Sequence, residues 1–274
     1  MIDWFSYIIL AILQGLTEFL PVSSSGHLIL LHSFFPYDPG LTFDLVLHVA
    51  TLISVCIFYS QEIKSLVLGG AQECMRWRQG KSSPGPNLRM LGYLLVATVI
   101  TACIGLALHA VVETELRKVW IVGILLIVNA GILLASRKKG LFSKCHGDVN
   151  LKVALIIGLV QGLAVLPGIS RSGSTITAAL LLGVRSRDCA TFSFLLSIPV
   201  ILGGFLLHML ELEAFDRAHL PLYCASAVVA AAVGYGCLVF LETILKKAQF
   251  YRFAPYCLAV GLIALGYSIF HGLV

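Results

Sequence analysis

Two polar stretches interrupt an otherwise apolar chain, and they constrain its fold more than any other sequence feature. The first, Gln14 to His27, reads QGLTEFLPVSSSGH, and the second, Gln161 to Ser174, reads QGLAVLPGISRSGS. They align without a gap, and the identical pairs are Gln14/Gln161, Gly15/Gly162, Leu16/Leu163, Ser23/Ser170, Ser25/Ser172 and Gly26/Gly173. Because polar groups in lipid are costly to leave unpaired, two related insertions indicate a shared purpose.

The composition predicts a polytopic membrane protein. Of 274 residues, 58% are hydrophobic and 12% are charged, and the mean hydropathy is +0.94, whereas soluble domains carry about 25% charged residues. The net charge of +5 is too diffuse to indicate nucleic-acid binding. The eight cysteines are scattered and are interpreted as small core residues. The N-terminus has no signal-peptide pattern, so we expect the first apolar segment to remain in the mature protein.

Apolar segment lengths predict an all-α fold with six transmembrane helices. A spanning helix needs about 20 mostly apolar residues, and the matching segments are 41–60, 90–110, 119–136, 189–210, 220–243 and 254–272. Two other apolar regions are broken by the polar stretches. One joins Trp4–Leu20 to Leu28–Phe35, and the other joins 153–166 to Thr175–Val184. Each is predicted to form a re-entrant helical hairpin, with its break surrounded by protein or a water-filled cavity.

The charges in the connecting loops predict an inverted-topology repeat. Basic residues are concentrated in 61–89, after the third span, before the fourth, and between the fifth and sixth. The alternate loops are acidic or balanced. The positive-inside rule therefore places the basic loops in the cytoplasm, the first hairpin outside and the second inside. Each half has one hairpin and an odd number of spans, so the halves (about 1–136 and 150–274) are inverted within one membrane domain, 1–274.

Gln14 and Glu18 lie four residues apart and share one helix face. One interpretation is that they hydrogen-bond neighbouring helices and hold the bundle together. The other is a divalent-cation site, since Mg²⁺ commonly takes one or two carboxylates and completes its shell with water and phosphate. Asp44 and His48 share another helix face. They either support the residues of the site from behind or are ordinary residues at the end of a span, and we favour the second interpretation.

The serines after each break suit helix N-termini, where free N–H groups bind anions. They either cap the helices or, if the two N-termini face each other, hold a phosphate or diphosphate. Arg171 either pairs with Glu18 as a structural contact or supplies positive charge to the ligand. His27 is a candidate base, acid or nucleophile because serines, a carboxylate and an arginine accompany it.

Both motifs resemble the undecaprenyl-diphosphate phosphatases, also called bacitracin-resistance proteins. The first family signature is Gln or Glu, three residues, Glu, then FLPVSS[ST]GH, and Gln14 to His27 match it. The second is PGxSRSG, which matches Pro167 to Gly173. Further similarity lies in Phe43–Thr51, where the family commonly has glycine in place of Ala50, and in Phe192–Pro199. The resemblance covers essentially the whole chain and is weakest around 70–89.

The resemblance implies a bacterial inner-membrane enzyme that hydrolyses a C55 isoprenyl diphosphate and recycles the lipid carrier for cell-wall polymers. It further implies dependence on Mg²⁺ or Ca²⁺ and a site that faces the periplasm. The family residues that carry over are Gln14, Glu18, Ser24, His27 and Arg171, with neighbours Ser23, Ser25, Gly26, Ser170, Ser172 and Gly173.

Combined with the residue chemistry, this predicts that Glu18 and Gln14 hold the metal and that Arg171 stabilises phosphoryl charge. Ser24 is the preferred nucleophile with His27 as its base, while direct attack by His27 or by water stays open. The rival class is a transporter of a lipid phosphate or small anion, because inverted repeats with broken helices are typical of transporters. The expected partners are the polyprenyl diphosphate lipid and the bilayer, and a homodimer is also compatible with the sequence.

Overall fold

The structure is a computed structural model that describes residues 4–34, 40–137, 147–211 and 219–272. Its α-helices are α1 (Trp4–Phe19), α2 (Ser24–Phe34), α3 (Leu41–Phe58), α4 (Ser60–Lys64), α5 (Gly70–Arg78), α6 (Pro86–Thr114), α7 (Val119–Ala135), α8 (Leu151–Leu163), α9 (Arg171–Leu181), α10 (Ser186–Glu211), α11 (Leu220–Lys246) and α12 (Ala254–Phe270). A π-helical segment (Ser65–Gly69) joins α4 to α5, and a 3-10 turn (Phe250–Phe253) precedes α12.

Four helices among the described residues are long and apolar enough to cross a membrane, and they match four of the six predicted spans. They are Pro86–Thr114, Ser186–Leu207, Leu220–Lys246 and Phe250–Phe270. The predicted span 41–60 ends at Phe58, where the chain bends by 76° into the helix Ser60–Arg78, and this bent pair would make a fifth. The predicted span 119–136 is α7, whose 17 residues extend about 25 Å.

Large apolar side chains cover the outside of the bundle. In the most apolar window of α6 only 11% of the residues are buried. Leu95, Val228 and Ile263 are each at least 64% exposed. Soluble proteins rarely present apolar surface on this scale, whereas lipid is a suitable solvent for it. The chain is therefore a multi-pass helical membrane protein.

Both predicted breaks are present, and the helices around them pack in matching pairs. α1 ends at Phe19 before Pro21, and α8 ends at Leu163 before Pro167, because proline cannot continue a helix. α1 packs mainly on α11, while its counterpart α8 packs mainly on α6. Equivalent glycines permit both contacts: a Cβ on Gly15 would lie 2.8 Å from the carbonyl of Ala230, and a Cβ on Gly162 would lie 2.7 Å from Ile104. The predicted junction between the halves includes residues 138–146, which lie outside the described residues.

The segment between α3 and α6 is held in place by a carboxylate that caps a helix. Glu73 accepts hydrogen bonds from the backbone N–H of Leu88 at 2.7 Å and from Nδ2 of Asn87 at 3.1 Å. The first N–H groups of a helix have no partner inside the helix, so Glu73 satisfies one of them at the start of α6. The Leu88 N–H, followed by the Asn87 amide, holds the pKa of Glu73 below its usual value.

This lowered pKa predicts a pH-dependent contribution to stability. Ionised Glu73 stabilises the fold above its unfolded-state pKa, and this stabilisation is lost as pH falls through the lower folded-state pKa. We expect Glu73→Gln to lower the melting temperature of the detergent-purified protein at pH 7. The gap from wild type should shrink as the pH drops into the acid range. Glu115→Gln, which alters an exposed pair with Lys118, is the control; a gap that is constant with pH would contradict the prediction.

Candidate active site

The carboxylate of Glu18, near the end of α1, lies at the centre of a buried polar cluster. Its Oε1 accepts a hydrogen bond from Nη2 of Arg171 at 2.8 Å. Its Oε2 accepts from Oγ of Ser24 at 2.7 Å and from Nε2 of Gln14 at 3.0 Å. Nε2 of His48 lies 3.8 Å from the same oxygen. Helices α1, α2, α3 and α9 therefore converge on one carboxylate.

Ser24 and Arg171 occupy equivalent positions in the two related stretches. Each is the first residue of the helix after its break, and each contacts a different oxygen of Glu18. The structural ion pair between Arg171 and Glu18, one of the two interpretations of the sequence, is thus formed. It does not use the whole guanidinium: Nη1 of Arg171 is buried without a hydrogen-bond partner among the described residues. That nitrogen can donate to an added oxyanion.

The two breaks interlock through their backbones. Oγ of Ser23 accepts from the N–H of Gly168 at 3.0 Å and from the N–H of Gly26 at 3.3 Å. Ser23 has φ 72° and Gly168 has φ 109°, so both lie in the left-handed region. A Cβ on Gly26 would lie only 3.0 Å from the Cα of Gly168. A larger side chain at Gly26 would therefore press on the backbone of Gly168 where the two breaks meet.

Asn129, in the middle of α7, ties the two breaks together. Its Nδ2 donates to the carbonyl of Pro21 at 3.0 Å, and its Oδ1 accepts from the N–H of Ser170 at 3.0 Å. The Oγ of Ser172 adds a bond to the carbonyl of Phe19 at 3.1 Å. The sequence analysis missed Asn129. An amide in an otherwise apolar span was the available signal, since such groups usually mark a function or a paired contact.

The serines after the breaks divide into capping and open groups. Ser170 is the N-cap of α9, where its Oγ accepts from the N–H of Gly173 at 3.0 Å and lies 3.2 Å from Oγ of Ser172. A Cβ on Gly173 would lie 3.1 Å from Cβ of Pro21, a tight contact where the two breaks approach each other. Oγ of Ser25 lies 3.4 Å from Oγ of Ser23. The side chain of Ser25 also lines a cavity. Capping thus explains some of these hydroxyls but leaves others facing open space.

His27 is held away from the predicted nucleophile. Its Nδ1 lies 2.8 Å from the carbonyl oxygen of Ser23, and its Nε2 lies 2.8 Å from the hydroxyl of Tyr256. The two rings are nearly parallel, with an interplanar angle of 5° and centroids separated by 5.6 Å. A carbonyl can only accept, so Nδ1 carries the proton and the neutral ring accepts from Tyr256. No hydrogen bond joins His27 to Ser24 within the described residues, and its role as base stays a prediction.

His48 reaches the site, although the sequence analysis interpreted it as an ordinary span-end residue. Its Nδ1 lies 2.8 Å from the backbone carbonyl of Asp44, one turn earlier in α3. This bond directs Nε2 towards Glu18. Helical spacing identified the shared face of Asp44 and His48, but only the packing of α3 against α1 brings that face to the site. The interpretation of His48 is therefore corrected.

Two cavities adjoin the cluster, and Ser25 lines both. A small one of about 50 Å³ is bounded by the side chains of Glu18 and Arg171 together with serines of both breaks. A larger one of about 270 Å³ runs from Ser25 and His48 past apolar residues to Glu113 and Arg117 at the end of α6. The arrangement suits an amphiphile with a polar end at Glu18 and an apolar tail along the larger cavity.

The predicted metal ligands fit a hard cation. Oε1 of Gln14 is buried without a hydrogen-bond partner in the described structure, and it belongs to the side chain whose Nε2 donates to Glu18. One carboxylate and one amide oxygen are few protein ligands for a metal ion. The described residues contain no group of three or more His, Cys, Asp or Glu arranged to hold a metal. Mg²⁺ accepts such a set when water and phosphate oxygens complete its shell.

The fold and the site define a multi-pass helical membrane protein in which two related helix breaks build one buried polar site. The family described as "Bacitracin resistance protein BacA" matches residues 7–263. The chain belongs to this family.

Its curated relatives match it along nearly their full length. An undecaprenyl-diphosphatase of Desulforapulum autotrophicum is 40% identical over 265 residues, 94% of this chain and 96% of the relative. One of Treponema denticola is 40% identical over 271 residues, 97% of each. One of Methanosphaera stadtmanae is 36% identical over 275 residues, 98% and 99% respectively.

The interlock of the breaks predicts a stability effect at Ser23. Ser23→Ala leaves the buried N–H of Gly168 without its acceptor, which costs about 1–3 kcal/mol. We expect a lower melting temperature in detergent, measured by circular dichroism. Ser33→Ala removes an exposed hydroxyl that bonds only the carbonyl one turn earlier, Ile29, and should have little effect. An equal fall in melting temperature in the two variants would show that the Ser23–Gly168 contact between the breaks does not stabilise the protein specifically.

Proposed function

We propose that this chain hydrolyses undecaprenyl diphosphate to undecaprenyl phosphate and inorganic phosphate. Family membership and the names of the relatives support this reaction. The observation that carries it at the site is the convergence of a hydroxyl and a guanidinium on the carboxylate of Glu18. In a bacterial inner membrane this reaction would regenerate the lipid carrier for peptidoglycan synthesis and give resistance to bacitracin.

In the proposed first step, Oγ of Ser24 attacks the terminal phosphorus of the diphosphate. The bond from that phosphorus to the bridging oxygen breaks, and undecaprenyl phosphate leaves. The hydroxyl proton passes to Oε2 of Glu18, which Ser24 already contacts at 2.7 Å. This assignment differs from the predicted Ser24–His27 pair, because the bonds of His27 lead to Ser23 and Tyr256. Attack by His27 itself or by water remains the alternative that the experiments below separate.

Positive charge for the phosphoryl oxygens would come from Arg171 and from two helix N-termini. Nη1 of Arg171 is the donor without a partner. α2 and α9 both begin at the site. Ser23 and Ser170 already cap the N–H groups of Gly26 and Gly173, so the N–H groups of the first two residues of each helix are the ones that an anion would use. Preorganised donors of this kind supply most of the catalysis in phosphoryl transfer. Ser25 offers a further hydroxyl, while Ser23, Gly26, Ser170, Ser172 and Gly173 would shape the phosphate cradle.

Gln14 and Glu18 would hold a divalent cation, Mg²⁺ or Ca²⁺, through the Gln14 amide oxygen and the Glu18 carboxylate. The partnerless Oε1 of Gln14 supports this assignment. Such a cation, when bound, neutralises charge on the diphosphate. The ion pair with Arg171 limits how much positive charge Glu18 can attract, so the cation would bind best together with the anionic substrate.

We further propose the topology of six spans and two re-entrant hairpins in an inverted repeat, with the site open to the periplasm. Matched packing of α1 on α11 and of α8 on α6 supports the repeat. The larger cavity reaches Glu113 and Arg117, in a connection that the charge pattern assigns to the outer side. The names of the relatives give no support to a transporter.

The charge assigned to Arg171 predicts a large loss of turnover on its removal. Protein purified in detergent and supplied with undecaprenyl diphosphate and Mg²⁺ should release inorganic phosphate, measured colorimetrically. Arg171→Ala should reduce kcat about 100-fold or more, the usual effect of losing one such donor. Arg187→Ala removes an exposed arginine that pairs with Glu62 at 3.5 Å, and it should leave kcat unchanged. Normal activity of Arg171→Ala would refute the charge role, and a pure transporter would release no phosphate.

The nucleophile assignment predicts a phosphorylated serine. Rapid acid and base quenching during turnover, followed by peptide mass spectrometry, should find the transferred phosphate on Ser24. Phosphate on His27 would contradict the assignment of Ser24 as the nucleophile. Ser24→Ala should abolish the modified peptide, whereas Ser33→Ala, at an exposed site of the same helix, should retain it.

A further inference from the structure

The helical segment Ser60–Arg78 follows α3 and takes no part in the proposed catalysis. The chain bends by 76° between α3 and this segment. Among the described helices the segment packs mainly on α6. The contact with α6 is close, because a Cβ on Gly69 would lie 2.6 Å from Nδ2 of Asn87. Most of the remaining surface of the segment is exposed.

The composition of the segment suits the surface of a membrane and not its hydrocarbon core. Five charged residues lie within it: Glu62, Lys64, Glu73, Arg76 and Arg78. Each of these charges would be costly at the centre of a bilayer. A charged helix that turns steeply away from an apolar helix matches the boundary between headgroups and acyl chains.

The exposed surface of the segment has two sides of different chemistry. Steps of three or four residues join an exposed stripe that has an apolar centre and a cation at each end: Lys64, Leu68, Ala71, Met75 and Arg78. Residues at these steps share one side of a helix. Leu68 is 63% exposed and Met75 is 58% exposed. The exposed residues beside the stripe are polar: Gln61, Ser65, Gln72 and Arg76.

The carboxylates of the segment are engaged by the protein, whereas its cations are not. Glu62 pairs with an arginine of α10 at 3.5 Å, and Glu73 caps the start of α6. Across the described part of the chain, no ion pair involves Lys64, Arg76 or Arg78. The segment therefore presents positive charge beside an exposed apolar stripe.

We propose that this surface of Ser60–Arg78 binds anionic phospholipids. The apolar centre of the stripe lies against acyl chains, and Lys64, Arg76 and Arg78 contact headgroup phosphates. A free phosphate would satisfy the cations alone, whereas a lipid also covers the stripe. The charge pattern assigns this connection to the cytoplasmic side, where anionic lipids attract basic amphipathic helices.

Lipid binding here would also stabilise the start of α6. Glu73 belongs to the segment and accepts from the N–H of Leu88 at 2.7 Å. Holding the segment against headgroups therefore holds this cap in place. We expect the full-length protein to melt at a higher temperature in bilayer discs that contain phosphatidylglycerol than in discs of phosphatidylcholine alone.

Amide hydrogen exchange in the same discs tests the binding locally. Peptides from Ser60–Arg78 of the wild type should exchange at least about 5-fold more slowly in the phosphatidylglycerol discs, the effect expected of one cation at an anionic surface. The variant Lys64→Gln/Arg76→Gln/Arg78→Gln should lose this slowing. About 1 M salt should abolish it in the wild type, because salt screens exposed charges. The salt measurement needs no substitution, so it tests the proposal even if the variant folds poorly.

A matched control removes the same charge elsewhere on the side that the charge pattern assigns to the cytoplasm. Lys152→Gln/Lys247→Gln/Arg252→Gln alters three exposed residues and should keep the slowing. Equal exchange in the two kinds of disc would overturn the proposal and favour a protein partner on this surface. An equal loss of slowing in both triple variants would also overturn it. None of these measurements uses phosphate release, so the lipid surface and the proposed hydrolysis can fail separately.

Discussion

A carboxylate inside a lipid-embedded bundle persists only when charge and hydrogen bonds surround it, and Glu18 imposes this requirement on the fold. Removing one partner of such a pair leaves a buried charge, which typically costs about 3–5 kcal/mol. The first half of the chain supplies Gln14 and Ser24, and the second half supplies Arg171. The halves must therefore meet with their breaks in contact, because only there can a guanidinium from α9 reach the end of α1.

The contact between the two breaks goes together with an unusual backbone conformation at Ser23. Ser23 adopts a left-handed conformation. This conformation costs a non-glycine residue about 1–2 kcal/mol of conformational free energy. The conformation places Oγ of Ser23 against the N–H of Gly168 and its carbonyl against His27. Strain of this kind persists where surrounding contacts over-determine it, and here Asn129 adds bonds to both breaks. The same backbone that joins the halves also orients the side chains of the site.

Local pattern predicted the parts of this structure that local forces decide. Proline and serine-rich stretches marked the breaks, and the four-residue spacing of Gln14 and Glu18 predicted their shared helix face, on which the structure adds a bond between them. Apolar length identified four spans well, but α7 is shorter than a typical span because helix ends depend on neighbours as well as on composition. Contacts between distant residues were out of reach: the Tyr256–His27 bond and the approach of His48 to Glu18 arise from packing. Consequently the contact between Arg171 and Glu18 could be anticipated as one of two interpretations, whereas the partners of the two histidines could not.

The two aligned stretches form similar helix breaks, but the side chains that they bring to the site differ. Helices α3 and α10 line cavities near both ends of the bundle. Glu113 of α6 and Arg117 just after it complete one cavity, and Glu242 and Lys246 of α11 complete the other. In the aligned stretches, however, Val165 stands where the first copy has Glu18. The second copy therefore has no carboxylate to orient a nucleophile, and the first has no guanidinium to balance the one it carries. Each stretch therefore depends on the other for a complete site, because Ser24 and Arg171 contact different oxygens of the same carboxylate.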